Sequence, residues 1–116
     1  MDPPSVSIPS AIIIGDSVSI GYTPHVAAAL SGKVQVQHSP AAGGGGADDA
    51  PYGKQCIITL ESFLRTADYR KVKWDLITFN FGLHDMDNST GGLHSIANYT
   101  AQLEEIADKL IATGSK

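Results

Sequence analysis

The chain has 116 residues, a formal net charge of −4, and 42% hydrophobic against 17% charged residues. That length confines it to one small domain that can bury a core, and the apolar share excludes wholesale disorder. An acidic balance with no basic patch argues against a nucleic-acid partner, and apolar runs of only a few residues fall far short of a membrane span.

Residues 1–10 carry three prolines and read as an extended lead-in to a domain over 11–116. They show neither the basic start nor the apolar core of a signal peptide. Residues 11–15 form a short, apolar, β-branched run, the pattern of a strand buried on both faces. A helix follows over 18–30, with Val18, Tyr22, Val26, Ala29 and Leu30 at helical spacing and Gly32 as its stop. Pro24 lies inside that pattern, which suggests a regular helix starting just before it. "KVQVQH" at 33–38 alternates apolar and polar residues, as a second strand would.

Residues 39–53, "SPAAGGGGADDAPYG", make a long loop with four consecutive glycines. Loops of that length inside a compact domain usually serve function or motion. A second helix is expected over 54–66, where Cys56, Ile57, Leu60, Phe63 and Leu64 share a face. Cys56 is the only cysteine, so it reads as a buried thiol with no internal disulfide. "DLITFNF" at 75–81 is the third strand, "GLHDMDNSTGG" a loop, and 93–112 the clearest helix. In that helix Ile96, Tyr99, Leu103, Ile106, Leu110 and Ile111 repeat every three or four residues, with Gly114 beyond the end. Sequons at Asn88 and Asn98 are compatible with secretion; otherwise the chain reads as cytoplasmic.

The β-α-β-α-β-α order implies an α/β domain with a parallel sheet and helices on its faces. Ligands of such sheets bind outside the carboxyl ends of the strands. Those ends carry Gly15-Asp16-Ser17, His38 with the glycine loop, and Gly82-Leu83-His84-Asp85. Ser17, between a strand and a helix, would sit where backbone N–H groups and the helix dipole favour a developing anion. It suits a nucleophile; it equally suits an N-cap, where Asp and Ser are favoured. The glycine loop could lend an N–H to an oxyanion hole or simply flex, and no Gly-Lys-Ser/Thr follows it to make a phosphate loop. His84 could donate to an oxyanion or act as a base, or bond its own turn, and Asp85 could hold that turn through backbone hydrogen bonds. His25 and His94 read as solvent-facing helix residues, and His38 as a strand-end residue within reach of the crevice. No spacing of His, Cys or carboxylates suggests a metal site, and no cofactor is implied.

Together the three blocks resemble the SGNH or GDSL-type serine hydrolases. "IIIGDSVSIGY" is similar to that family's first block, a strand followed by Gly-Asp-Ser, which implies Ser17 as nucleophile and a donor of its own N–H. "GGGGADDAPYG" resembles the second block, which implies an oxyanion-hole N–H from Gly46, or from Gly45 in the neighbouring register. "FNFGLHDM" resembles the third block, Gly-x-Asn-Asp, with Gly82 and Asp85 matching. His84 stands there in place of the family asparagine, as an oxyanion donor whose action would depend on pH. Asp16 and Asp85 are supporting residues. The likeness runs from about residue 11 to residue 113 and implies a flavodoxin-like α/β/α fold, incomplete in this chain, acting on short acyl or acetyl esters.

The family's Asp-x-x-His block, which supplies the base, occurs nowhere in the 116 residues. Three expectations follow. The base lies on a separate chain, and "TGSK" ends as a trypsin-like cut would leave it; the domain is truncated; or His84 serves as base. The first two expose a sheet edge and imply a complementary C-terminal chain or self-association. The alternatives are a non-catalytic binding or interaction module on the same fold, and a flavodoxin-like phosphate or nucleotide binder.

Overall fold

The computed structural model describes residues 8–39, 73–86 and 96–116. The expected helix at 54–66, the loop at 39–53 after its first residue, Cys56 and His94 lie outside the described residues. Within them the chain runs β1 (Ser10–Gly15), α1 (Ser17–Ala29), β2 (Gln35–His38), β3 (Leu76–Asn80), a single 3-10 turn at His84–Met86, and α2 (Ile96–Ile111).

The strands form one parallel sheet in the order β2-β1-β3, with Ser10 opposite Gln35, Ala11 opposite Leu76 and Gly15 opposite Asn80. The molecule is therefore a mixed α/β protein, as the alternation of elements predicts. β1 is central, and all six of its residues are buried. Only a strand covered on both faces can be that uniformly apolar. The Asp75 carboxylate fastens the start of the sheet, accepting the Ser10 N–H at 2.8 Å.

Successive strand residues point to opposite faces. On one face Ile12 and Ile14 join Trp74, Phe81, Ile106 and Leu110 in the core, with Ile77, Phe79, Tyr99 and Leu103 packed around them. The apolar stripe of α2 thus docks where its periodicity puts it. The stripe's ends do not: Ile96 is 69% and Ile111 70% exposed. Burial is set by what lies opposite, and the described sheet is narrower than the helix is long.

On the other face α1 approaches β1 closely. The expected core face of α1 is not the observed one. Val18 and Tyr22 are exposed, whereas Ser19 and Thr23 are buried. Their hydroxyls are satisfied within the helix: Ser19 Oγ donates to the Asp16 carbonyl at 2.7 Å, and Thr23 Oγ1 to the Ser19 carbonyl at 2.6 Å. Small, internally bonded side chains let helix and strand meet at Gly15, where a Cβ would stand 2.6 Å from Ser19 Oγ. Glycine is required there for space. Pro24 does not delay the helix, which begins at Ser17 and continues through it. The N–H that proline lacks would have served the Ile20 carbonyl, on a half-exposed residue that water reaches.

α2 closes at Gly114, whose φ of 81° lies in the left-handed region. The chain then returns to the sheet. Lys116 N–H donates to the Asp75 carbonyl at 3.1 Å, and the Lys116 carbonyl accepts the Ile77 N–H at 2.8 Å. One residue bonded to both neighbours of Leu76 is the unit of a parallel ladder. Lys116 therefore lies beside β3 as the first rung of a fourth strand position. Beyond it a cavity of about 210 Å³ runs between β3 and α2, lined by Ile77, Phe79, Ala107, Leu110, Ile111 and Ser115.

Candidate functional site

The carboxyl end of β1 turns into α1 over two residues. Asp16 takes extended backbone angles, φ −89° and ψ −164°, and its carboxylate accepts the Val18 N–H at 3.0 Å. Its carbonyl accepts the Ile20 N–H at 3.1 Å, the first intrahelical bond. Asp16 is thus the N-cap, and it is buried. The two roles open to Ser17 in the sequence therefore separate. Ser17 is the first helical residue and exposed, and among the described residues nothing bonds its hydroxyl or its N–H. It sits at the positive end of a helix 13 residues long, with its N–H directed outward as a first-turn donor.

His38, at the carboxyl end of β2, comes into contact with this turn. Its Nε2 lies 2.6 Å from Ser19 Oγ, and its Nδ1 lies 2.5 Å from the Ser39 carbonyl. Neither Ser19 nor this contact is anticipated by the sequence reading, which takes His38 only as far as the edge of the crevice. The available signal is a serine three residues after the cap, a helix position off the apolar spacing.

At the carboxyl end of β3, Asn80 stands opposite Gly15, and the buried Phe81 follows. Tyr99 of α2 donates its hydroxyl to the Phe81 carbonyl at 2.8 Å and fixes the strand exit. Burial, and then the negative charge of Asp85, pushes the Tyr99 phenol above its ordinary value. Gly82 packs under that hydroxyl, which a Cβ would meet at 3.3 Å. The 3-10 turn is closed by the Met86 N–H, shared between the Gly82 and Leu83 carbonyls at 3.2 Å each. Asp85 is buried inside it at 2% exposure. The His84 backbone opens the turn; its side chain is outside what the structure describes. So are Gly45 and Gly46.

Beside this strand end is a cavity of about 500 Å³, lined by Asn80, Phe81, Gly82, Leu83, Met86 and Tyr99 among others. Its size and mainly apolar wall suit a small organic group. The structure thus brings Ser17, His38 and the Gly82–Met86 segment to one end of a parallel sheet, the position at which such sheets bind ligands. Among the described residues no group of His, Cys, Asp or Glu is placed to hold a metal ion, and no helix is long and apolar enough to cross a membrane. No protein-family model matches the chain, and a search of curated proteins finds no match either.

Proposed function

We propose that this chain carries the nucleophile and part of the oxyanion hole of an SGNH-type serine ester hydrolase acting on short acyl or acetyl esters. The observation that carries the reading is the Ser17 hydroxyl: exposed, relieved of capping by Asp16, and set at a helix N-terminus beyond the central strand. In this reading Ser17 Oγ attacks the ester carbonyl, and the Ser17 proton passes to a histidine. The tetrahedral oxyanion is held by the N–H groups of Ser17 and Gly46, with Gly45 as the alternative, and by His84. Collapse expels the alcohol, which takes the proton from the histidine and leaves an acyl-Ser17. Water then releases the acid by the same steps. The cavity beside Asn80 suits the acyl group.

The histidine and its aspartate belong to a complementary segment, since Asp-x-x-His is absent from these 116 residues. The edge of β3, paired among the described residues beyond β1 only by Lys116 and backed by an apolar cavity, supports docking of that segment as further parallel strand. A fluorophosphonate probe will label Ser17 in the protein combined with that segment, and Ser17→Ala will abolish labelling. Labelling that survives the substitution overturns the reading.

The missing Asp-x-x-His also favours a second reading, a binding module on a hydrolase-like sheet. It requires that p-nitrophenyl acetate turnover with the segment present stay at the Ser17→Ala level.

A further inference from the structure

Ser19 and His38 are not used by the proposed mechanism, yet they form a close polar cluster beside Ser17. Ser19 Oγ has one proton and two close neighbours, the Asp16 carbonyl at 2.7 Å and His38 Nε2 at 2.6 Å. The other ring nitrogen faces the Ser39 carbonyl at 2.5 Å. A carbonyl only accepts, so that contact needs a proton on Nδ1.

The three contacts count protons. A neutral ring protonated on Nδ1 leaves Nε2 an acceptor; it takes the Ser19 proton, and the Asp16 carbonyl loses its bond from Ser19. A neutral ring protonated on Nε2 sets the Nδ1 lone pair against the Ser39 carbonyl. Only the imidazolium satisfies all three: Nδ1–H to Ser39, Nε2–H to Ser19 Oγ, and Ser19 Oγ–H to Asp16. The Asp16 carbonyl is one end of the peptide whose other end is the Ser17 N–H. A hydrogen bond accepted at the carbonyl polarises that peptide and makes its N–H a better donor.

We infer that Ser19 and His38 are positioning residues for Ser17, a relay through which protonation of the His38 ring strengthens the Ser17 N–H. Its catalytic meaning rests on the hydrolase reading, in which that N–H faces the oxyanion; the relay itself does not. Ser19 is 2% exposed, so no ester can reach its hydroxyl and the pair is not itself a catalytic dyad. The titratable groups on α1, the helix touching the ring, are Asp16 at its cap, Tyr22 and His25; β1 presents Ile13 at the paired position and carries none. The relay is therefore set while the ring carries both protons and released when it loses one.

The test is NMR on the full chain. Ring ¹⁵N shifts of His38 and the backbone amide shifts of Ser17 are followed across the histidine range. The Ser17 amide is expected to move with the midpoint of His38. In Ser19→Ala that movement is lost while the ring still titrates. In His38→Gln, whose amide N–H donates as the imidazolium does, the Ser17 amide stays fixed at the low-pH position. A Ser17 amide that ignores the His38 midpoint, or still follows it in Ser19→Ala, overturns the relay. Should Ser19→Ala unfold, the His38→Gln comparison decides alone: a Ser17 amide still titrating with the wild-type midpoint refutes the relay. Failure here leaves Ser17 labelling unaffected, and failure of labelling leaves these shifts unaffected, so the two readings fall separately.

Discussion

Two adjacent side chains at the end of β1 divide work that the sequence leaves shared. Asp16 is buried and bonded to the Val18 N–H; Ser17 is exposed and bonded to nothing described. The division has a thermodynamic signature. Removing a good N-cap costs about 1 kcal/mol, because a first-turn N–H loses its acceptor. Removing an exposed, unbonded hydroxyl changes stability by less than about 0.5 kcal/mol. Urea unfolding followed by Trp74 fluorescence will therefore separate Asp16→Ala, destabilised by about 1 kcal/mol, from a near-neutral Ser17→Ala. Equal losses would return the cap to Ser17. Gly-Asp-Ser was legible as a strand-to-helix turn because glycine, cap and apolar run each obey a local rule. The contact that supports it, Ser19 to His38, spans 19 residues and obeys none.

Among the elements, the strands, α2 and the extent of α1 were readable from periodicity, and the buried face of α1 was not. Its bulky apolar residues suggested one buried face; space at Gly15 turned the helix so that Ser19 and Thr23 point inward while Val18 and Tyr22 are exposed. A hydrophobic pattern cannot report how close two elements come. The join between α2 and β3 shows the same limit. Tyr99 fell on the expected face, but its hydroxyl also holds the Phe81 carbonyl at the strand exit. That contact makes a pH prediction. The neutral phenol donates to the carbonyl, and both burial and Asp85 oppose the phenolate, so the folded value is raised above the unfolded one. The folded state then holds this proton more tightly than the unfolded state. The stabilisation is complete below the ordinary tyrosine range and is lost as pH rises through the raised value. A difference titration of phenolate absorbance between the protein and Tyr99→Phe will show the Tyr99 component ionising above free tyrosine. A component at or below it would contradict the packing of α2 on β3.

At the scale of the whole molecule the sheet is asymmetric. Its centre is sealed, while the β3 side offers a ladder position already occupied at one rung. Strand alternation decides what that edge can bind. The Ile77 N–H meets Lys116, so the Ile77 carbonyl and the Phe79 N–H and carbonyl face the same way, one rung further on. Beneath them Ile77, Phe79 and the 70% exposed Ile111 border the cavity that an added strand's inward side chains would fill. Among the described residues only Lys116 pairs with this edge, and an unpaired edge over apolar surface is a template for association. A second copy of the chain is a partner that such an edge fits, and light scattering after size exclusion should show mass rising with protein concentration. Ile111→Glu tests the surface with little cost to the fold, because the side chain it replaces is mostly in solvent. The new carboxylate would have to be buried unpaired when a strand docks, a penalty of several kcal/mol that association would have to overcome. The variant should therefore stay monomeric where the parent associates, with the same unfolding midpoint at low concentration. A parent that is monomeric throughout, or a variant that associates as well as the parent, would mean that the β3 edge is not a docking surface.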